Sequence, residues 1–241
     1  MNFDPTPEQQ AIVDRARGVG KRIRSVATAI DKAGRVPEEL TLLLIGEALM
    51  DPFVADETTA ILIIEELASA SAGLAASLGF GSAAGSGAAG TVIPPSLAGL
   101  RGAEFELAAV QRATGPTMTR AKLVCCGVAL GVGRAAVDHS VATLKRMNIR
   151  PGGDEKVPHW ALADAAAEVD AARLLTLNAA QMVERDEPSD HAIDLAKTLS
   201  ASAAEKAVHA AIRIEGADGY ARAGLLDRLT RDARQLTVIL P

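Results

Sequence analysis

Aromatic side chains are scarce in this 241-residue chain, which holds four Phe, one Tyr and one Trp. Apolar residues still make up 49%, so the core has to come from Ala, Leu, Val and Ile, a composition that suits helices packed closely through small side chains. An excess of basic charge is also lacking. The formal net charge of -5 provides no phosphate-binding footprint and argues against a nucleic-acid partner. The two cysteines, Cys125 and Cys126, are adjacent within a helical pattern and are expected as small core residues, not as a disulfide or a metal pair. No basic stretch followed by an apolar run opens the chain, so no secretory signal is visible. The most apolar segment, Ala60–Leu67, meets Glu65 and Glu66 too soon to span a bilayer. A cytoplasmic location is the expectation. Convincing period-2 runs are missing as well, which points to an all-α fold; short strands near Val92 or Leu236 stay open.

The signals that are present are helical. Thr6-Pro7-Glu8-Gln9 offers an N-cap hydroxyl, proline at the first helical position and Gln at the third. Ile12, Val19, Ile23, Val26 and Ile30 follow at helical spacing, and Gly34 closes the run. A second helix is expected over Pro37–Met50 and a third from near Asp56 to about Leu78. Gly79–Gly90 then reads as a loop or linker, because glycine, serine and alanine cannot bury a face. Residues 101–118 have room for one short helix. Further helices are expected at about 119–147, 159–186, 189–215 and 222–238, with breaks at Pro151-Gly152-Gly153, Glu187-Pro188-Ser189 and Gly216–Gly219. The domain reading is an N-terminal helical block over 1–80, a Gly/Ala/Pro-rich connector over 81–118 and a C-terminal helical bundle over 119–241.

Few motifs carry chemistry. Gly85-Ser86-Gly87-Ala88-Ala89-Gly90 has the letters of a dinucleotide fingerprint, but it follows a helix and runs into prolines instead of joining a strand to a helix. Glu205 and His209 share a helix face without the further ligands a metal needs, so a solvated ion-pair face is expected and no metal site is assigned. No Gly-x-Ser-x-Gly elbow is present. Gly127 and Gly131, four apart, are expected to let two helices approach closely.

An ordered series of short matches says more. It runs from Leu130-Gly131-Val132-Gly133-Arg134 through Arg146-Met147-Asn148-Ile149, Leu162-Ala163-Asp164 and Ala171-Ala172-Arg173-Leu174-Leu175. It closes with Gly216-Ala217-Asp218-Gly219-Tyr220 and Arg228-Leu229-Thr230-Arg231-Asp232-Ala233-Arg234. In that order the series resembles the C-terminal helical domain of the acyl-CoA dehydrogenase family. Phe3-Asp4 with Pro7-Glu8-Gln9, and Ile64-Glu65-Glu66-Leu67-Ala68, are similar to that family's first domain.

The resemblance implies a fold of two helical domains flanking a β-barrel-like middle domain, and oxidation of the Cα–Cβ bond of an acyl-CoA with FAD as hydride acceptor. Only the connector stands where the middle domain belongs, so that domain is expected to be missing. The catalytic glutamate is missing too. Its two known positions fall on Leu240 and on Ala121 beside Lys122, so no catalytic residue is assigned. Arg146 corresponds to a family arginine that reaches FAD, and Gly216, Gly219 and Tyr220 correspond to a flavin-contacting loop. Ile149, Arg150, Ala217 and Arg213 depart from the family pattern. Arg146 can equally be an ordinary helix-end cation favoured by the macrodipole. For Arg231, Asp232 and Arg234 a fold-stabilising role is expected. The implied partner is a full-length acyl-CoA dehydrogenase subunit that binds most of the FAD, in a homo- or hetero-oligomer built through the C-terminal bundle. The alternatives are a non-redox enzyme of cyclase or lyase type on the same scaffold, or a purely structural homo-oligomer.

Overall fold

The computed structural model describes residues 4–84, 99–111, 113–148, 159–221 and 224–239. Among them are nine α-helices and no strand: α1 (Pro7–Ala33), α2 (Glu38–Gly46), α3 (Glu57–Ala68), α4 (Ala72–Ala84), α5 (Glu104–Val110), α6 (Pro116–Arg146), α7 (His159–Glu184), α8 (Asp190–Glu215) and α9 (Leu225–Val238). Short 3-10 turns sit at Pro52–Val54 and Gly216–Tyr220. The fold is all-α as expected, without a β-barrel among the described residues.

Local chemistry sets the helix ends. The Thr6 hydroxyl accepts from the Gln9 N–H, and the Gln9 side chain accepts in return from the Thr6 N–H at 3.0 Å. Gly34 ends α1 at φ +62°, where a side chain would be strained, and its N–H returns to the Ile30 carbonyl. Asp56 caps α3 through the Thr59 N–H at 2.5 Å and the Thr59 hydroxyl at 2.8 Å.

Two expectations need correction. The helix expected from Asp56 to Leu78 is broken between Ala68 and Ala72, where the buried Ser69 hydroxyl bonds back to the Glu66 carbonyl. The loop expected over Gly79–Gly90 begins too early, because α4 continues to Ala84 and buries Phe80 completely. Tertiary burial overrides glycine's poor helix propensity here: a Cβ on Gly79 would lie 2.7 Å from Val124 Cγ1, so α4 uses the missing side chain to lie against α6. The Gly85–Gly90 motif lies outside the described residues.

Helices α6–α9 form the up-down bundle, and α6 also packs on α3 and α4, which places it at the centre of the molecule. Every residue of α3 is buried. Two glycines of α6, Gly127 and Gly131, do let it approach α3 closely. A Cβ at Gly131 would sit 2.5 Å from Ala68 Cβ and 2.6 Å from the Glu65 carbonyl oxygen, and one at Gly127 would sit 3.0 Å from Ile64 Cγ2.

This seam also buries two carboxylates. Glu65 takes Arg134 of α6 at 3.0 Å and Arg173 of α7 at 2.9 Å. Glu66 takes Arg134 at 2.9 Å and Arg17 of α1 at 3.0 Å. Four helices therefore meet in one hydrogen-bonded charge cluster.

Two outcomes follow from this packing. Gly131→Ala should cost about 1–3 kcal/mol or more through overpacking, whereas Gly18→Ala, whose Cβ meets nothing within 4 Å, should gain about 0.5–1 kcal/mol. Arg134→Met should cost about 3 kcal/mol, the low end for breaking a buried pair because Arg17 and Arg173 remain, and a second change Glu66→Gln should recover part of the loss. Denaturant midpoints of the four variants check both.

Candidate functional site

The last turns of α6 place His139, Thr143 and Arg146 on one face, at spacings of four and three residues. That face meets the end of α8 at Glu215. The Thr143 hydroxyl donates to Glu215 Oε2 at 2.9 Å, and His139 Nε2 lies 3.0 Å from the same oxygen. Arg146 Nη2 donates to Glu215 Oε1 at 3.4 Å and to the Thr143 hydroxyl at 3.3 Å. Burial works against ionisation of Glu215, but the Thr143 hydroxyl, His139 and Arg146 outweigh it and hold the carboxyl below its ordinary value.

Directly after Glu215 the chain leaves α8 through Gly216, at φ +71°, into the Gly216–Tyr220 turn. Gly219 lies flat on the helix, since a Cβ there would meet the Ile212 Cα and carbonyl oxygen at 3.2 Å. Tyr220 is 76% exposed, and the Arg146 side chain is 65% exposed. The structure thus brings the four sequence-predicted residues to one corner, with Glu215 joining Arg146 to the loop. Sequence reasoning missed Glu215. The available signal was a carboxylate one residue before the glycine loop, opposite a helix carrying His, Thr and Arg on one face.

These residues suit an edge contact to a dinucleotide. Arg146 is tethered at one nitrogen and otherwise faces solvent, so its guanidinium can offer N–H groups to a diphosphate. Glu215 offsets part of that charge. The neighbouring cleft, which shares His139, has a polar lining that includes Arg24, Ser69, Asp138 and Arg228.

The other sequence-singled residues have structural roles. Ala121 is completely buried, and Lys122 pairs with Asp194 at 2.7 Å. Leu240, Ile149 and Arg150 lie outside the described residues. Arg231 binds Asp31 of α1 with two hydrogen bonds, at 2.9 and 2.7 Å. Arg234 takes Glu205 at 2.9 Å, which occupies the carboxylate of the Glu205/His209 pair. Asp232 accepts the Leu100 N–H at 2.6 Å, which holds Leu100 at φ +50°. Burial raises the thiols of both Cys125 and Cys126 far above their ordinary value, so neither is a nucleophile. No helix among the described residues is long and apolar enough to cross a membrane.

Residues 112–239 match the family model described as "Acyl-CoA dehydrogenase, C-terminal domain". The match covers more than half of the chain, which belongs to the acyl-CoA dehydrogenase family. Over 124 residues the chain is 31% identical to a 3-(aryl)acrylate reductase of Clostridium sporogenes, covering 51% of this chain and 33% of that one. Over 113 residues it is 37% identical to a 3-sulfinopropanoyl-CoA desulfinase of Paraburkholderia xenovorans, covering 46% and 29%. The chain thus spans about a third of the length of these curated relatives. Butyryl-CoA dehydrogenase from Megasphaera elsdenii superposes with a TM-score of 0.81 over 99% of this chain and 95% of that one, at 16% identity, which is a likeness of fold.

Asp232 gives this region a pH signature. Its carboxyl is pushed up to about 6, chiefly by burial, against the opposing effects of the Leu100 N–H, Arg228 and Arg231. Between the ordinary value of 3.8 and about 6, the unfolded chain has released this proton while the folded chain retains it. This group therefore makes stability fall as pH rises through that window and level off above it. Urea midpoints at about pH 4.5 and about pH 6.5 should differ less in Asp232→Asn than in the parent. An equal difference in both proteins would remove Asp232 as the source.

Proposed function

We propose that this family member is a reduced, non-catalytic subunit that supports FAD-dependent α,β-dehydrogenation of an acyl-CoA by a full-length acyl-CoA dehydrogenase. The two would associate through the C-terminal bundle, with the 81–118 connector replacing the middle domain in this chain. Arg146 and the Gly216–Tyr220 turn would contribute contacts to an FAD held mainly by the partner. When bound, FAD accepts the hydride in such a reaction. This chain's part would be to grip the cofactor's diphosphate with Arg146 and to steady that arginine through Glu215 and Thr143.

The observation that carries the reading is Ala121. The position at which some relatives place the base holds a buried methyl group beside a lysine already paired with Asp194. Proton abstraction without a positioned base forgoes roughly 10²–10⁴-fold in rate. The exposure of Arg146 and Tyr220 at one corner supports a contribution in trans.

A second reading, a non-redox enzyme on the same scaffold, draws support from the relatives. One is named a desulfinase, a reaction other than dehydrogenation, so proteins similar to this chain serve more than one chemistry.

Co-expression with full-length acyl-CoA dehydrogenases of the same organism tests the proposal. One of them should co-purify with this chain as a yellow complex, and Arg146→Ala should weaken flavin retention about 10-fold, as expected for one lost charge-assisted hydrogen-bond donor. Dehydrogenases that all keep their full flavin content alone and do not co-purify would overturn it. A colourless chain that turns over a substrate without an electron acceptor would favour the second reading, and a stable symmetric assembly binding neither flavin nor CoA would favour a structural role.

A further inference from the structure

A cleft of about 440 Å³ opens between α1, the α3–α4 turn, the later half of α6 and the start of α9, and none of the roles above uses it. Its polar groups come from Arg24, Thr28, Ser69, Asp138, His139 and Arg228.

Arg228 is the unusual member. It is only 9% exposed, and its one hydrogen bond runs from Nη1 to the Thr28 hydroxyl at 3.3 Å. No carboxylate lies within salt-bridge distance of it among the described residues. A guanidinium carries five donors, and those of Arg228 that Thr28 does not take are left open to the cleft. Asp232, one turn further along α9, feels the charge of Arg228 but does not take its donors. One Asp232 oxygen is committed to the Leu100 N–H, and the other makes no hydrogen bond.

Arg24 reaches the same cleft from α1, one turn before Thr28. Its Nη2 donates to the Ser69 hydroxyl at 3.2 Å, and it too has no carboxylate partner among the described residues. Two guanidiniums therefore face one carboxylate, Asp138, among the described lining residues. Helix α9 starts at the cleft with Leu225, and its N-cap, Gly224, provides no side-chain hydrogen bond. The positive end of that helix adds to the local preference for an anion.

We propose that this cleft binds a phosphate-type oxyanion, with Arg228 supplying donors from the floor and Arg24 closing from the exposed side. Thr28 and Ser69 position the two guanidiniums, and the volume leaves room for more than the oxyanion alone. The proposal is independent of the flavin reading, since it involves neither Arg146 nor the glycine turn.

Calorimetric titration of the full chain with inorganic phosphate and with adenosine 3′,5′-bisphosphate tests it. Saturable binding of at least one is expected, weakened about 10-fold by Arg24→Ala and by Arg228→Met and unchanged by Arg185→Ala on the α7–α8 turn. Tighter binding of the bisphosphate identifies a phosphorylated small molecule as the source, and equal binding identifies free phosphate. Absence of heat with both compounds overturns the site, as does an affinity that Arg24→Ala leaves untouched. Arg24 is exposed, so that variant decides the matter even if Arg228→Met fails to fold.

Discussion

The close approach of α6 to α3 is the contact on which the rest of the molecule depends. Gly127 and Gly131 let the two backbones come together, and no side chain could be added at Gly131 without displacing Ala68 or the Glu65 carbonyl. With the helices in that position, Glu65 and Glu66 fall within reach of Arg134, and Arg17 and Arg173 converge from α1 and α7. A buried ion cluster adds little net stability compared with apolar packing, because desolvation offsets the attraction. Its effect here is on register. Rotating α6 about its axis would carry Arg134 away from both carboxylates at once. The same rotation fixes the far end of α6, where His139, Thr143 and Arg146 meet Glu215.

How much of this was legible in the sequence depended on how far each interaction reached along the chain. The ends of α1 are written in residues three or four apart, Thr6 with Gln9 and Ile30 with Gly34, and the structure forms both. The helix pattern of the C-terminal half was equally plain, because polar and glycine-rich breaks separate long periodic runs. Reading failed where burial from a distant segment decided the outcome. Gly79 looks like a loop residue until Val124 is brought against it, some 45 positions away in the sequence. Glu215 was missed for the same reason: its partners on α6 lie 69–76 residues earlier, and nothing adjacent to it announces them.

The segment that carries most of the family resemblance, Arg228 to Arg234, is structural for the greater part. Arg231 fastens α9 to α1, Asp232 holds the backbone at Leu100 ahead of α5, and Arg234 ties α9 to α8. A motif used in this way is retained with the fold whatever reaction the scaffold serves, which is why likeness there says little about chemistry. The chemical question rests instead on the positions where the family carries its base and its cofactor contacts. At Ala121, the position that corresponds to the base of some relatives, the chain holds a methyl group packed in the core.

The arginines divide along the same line. Arg134, Arg173 and Arg231 are each about 30% exposed or less at the side chain, and each faces one or more carboxylates at 3.0 Å or closer, so their burial is compensated within the chain. Arg228 is the only arginine classed as buried among the described residues, yet only a hydroxyl among them meets its side chain. The nearby carboxylate, Asp232, is itself pushed toward its neutral form by burial and turns one oxygen to the Leu100 amide. A chain that meets these other guanidiniums with carboxylates leaves this one at a cleft whose rim carries Arg24, likewise without a carboxylate partner among the described residues. That asymmetry separates the arginines that hold the fold from one whose remaining donors are left to the cleft.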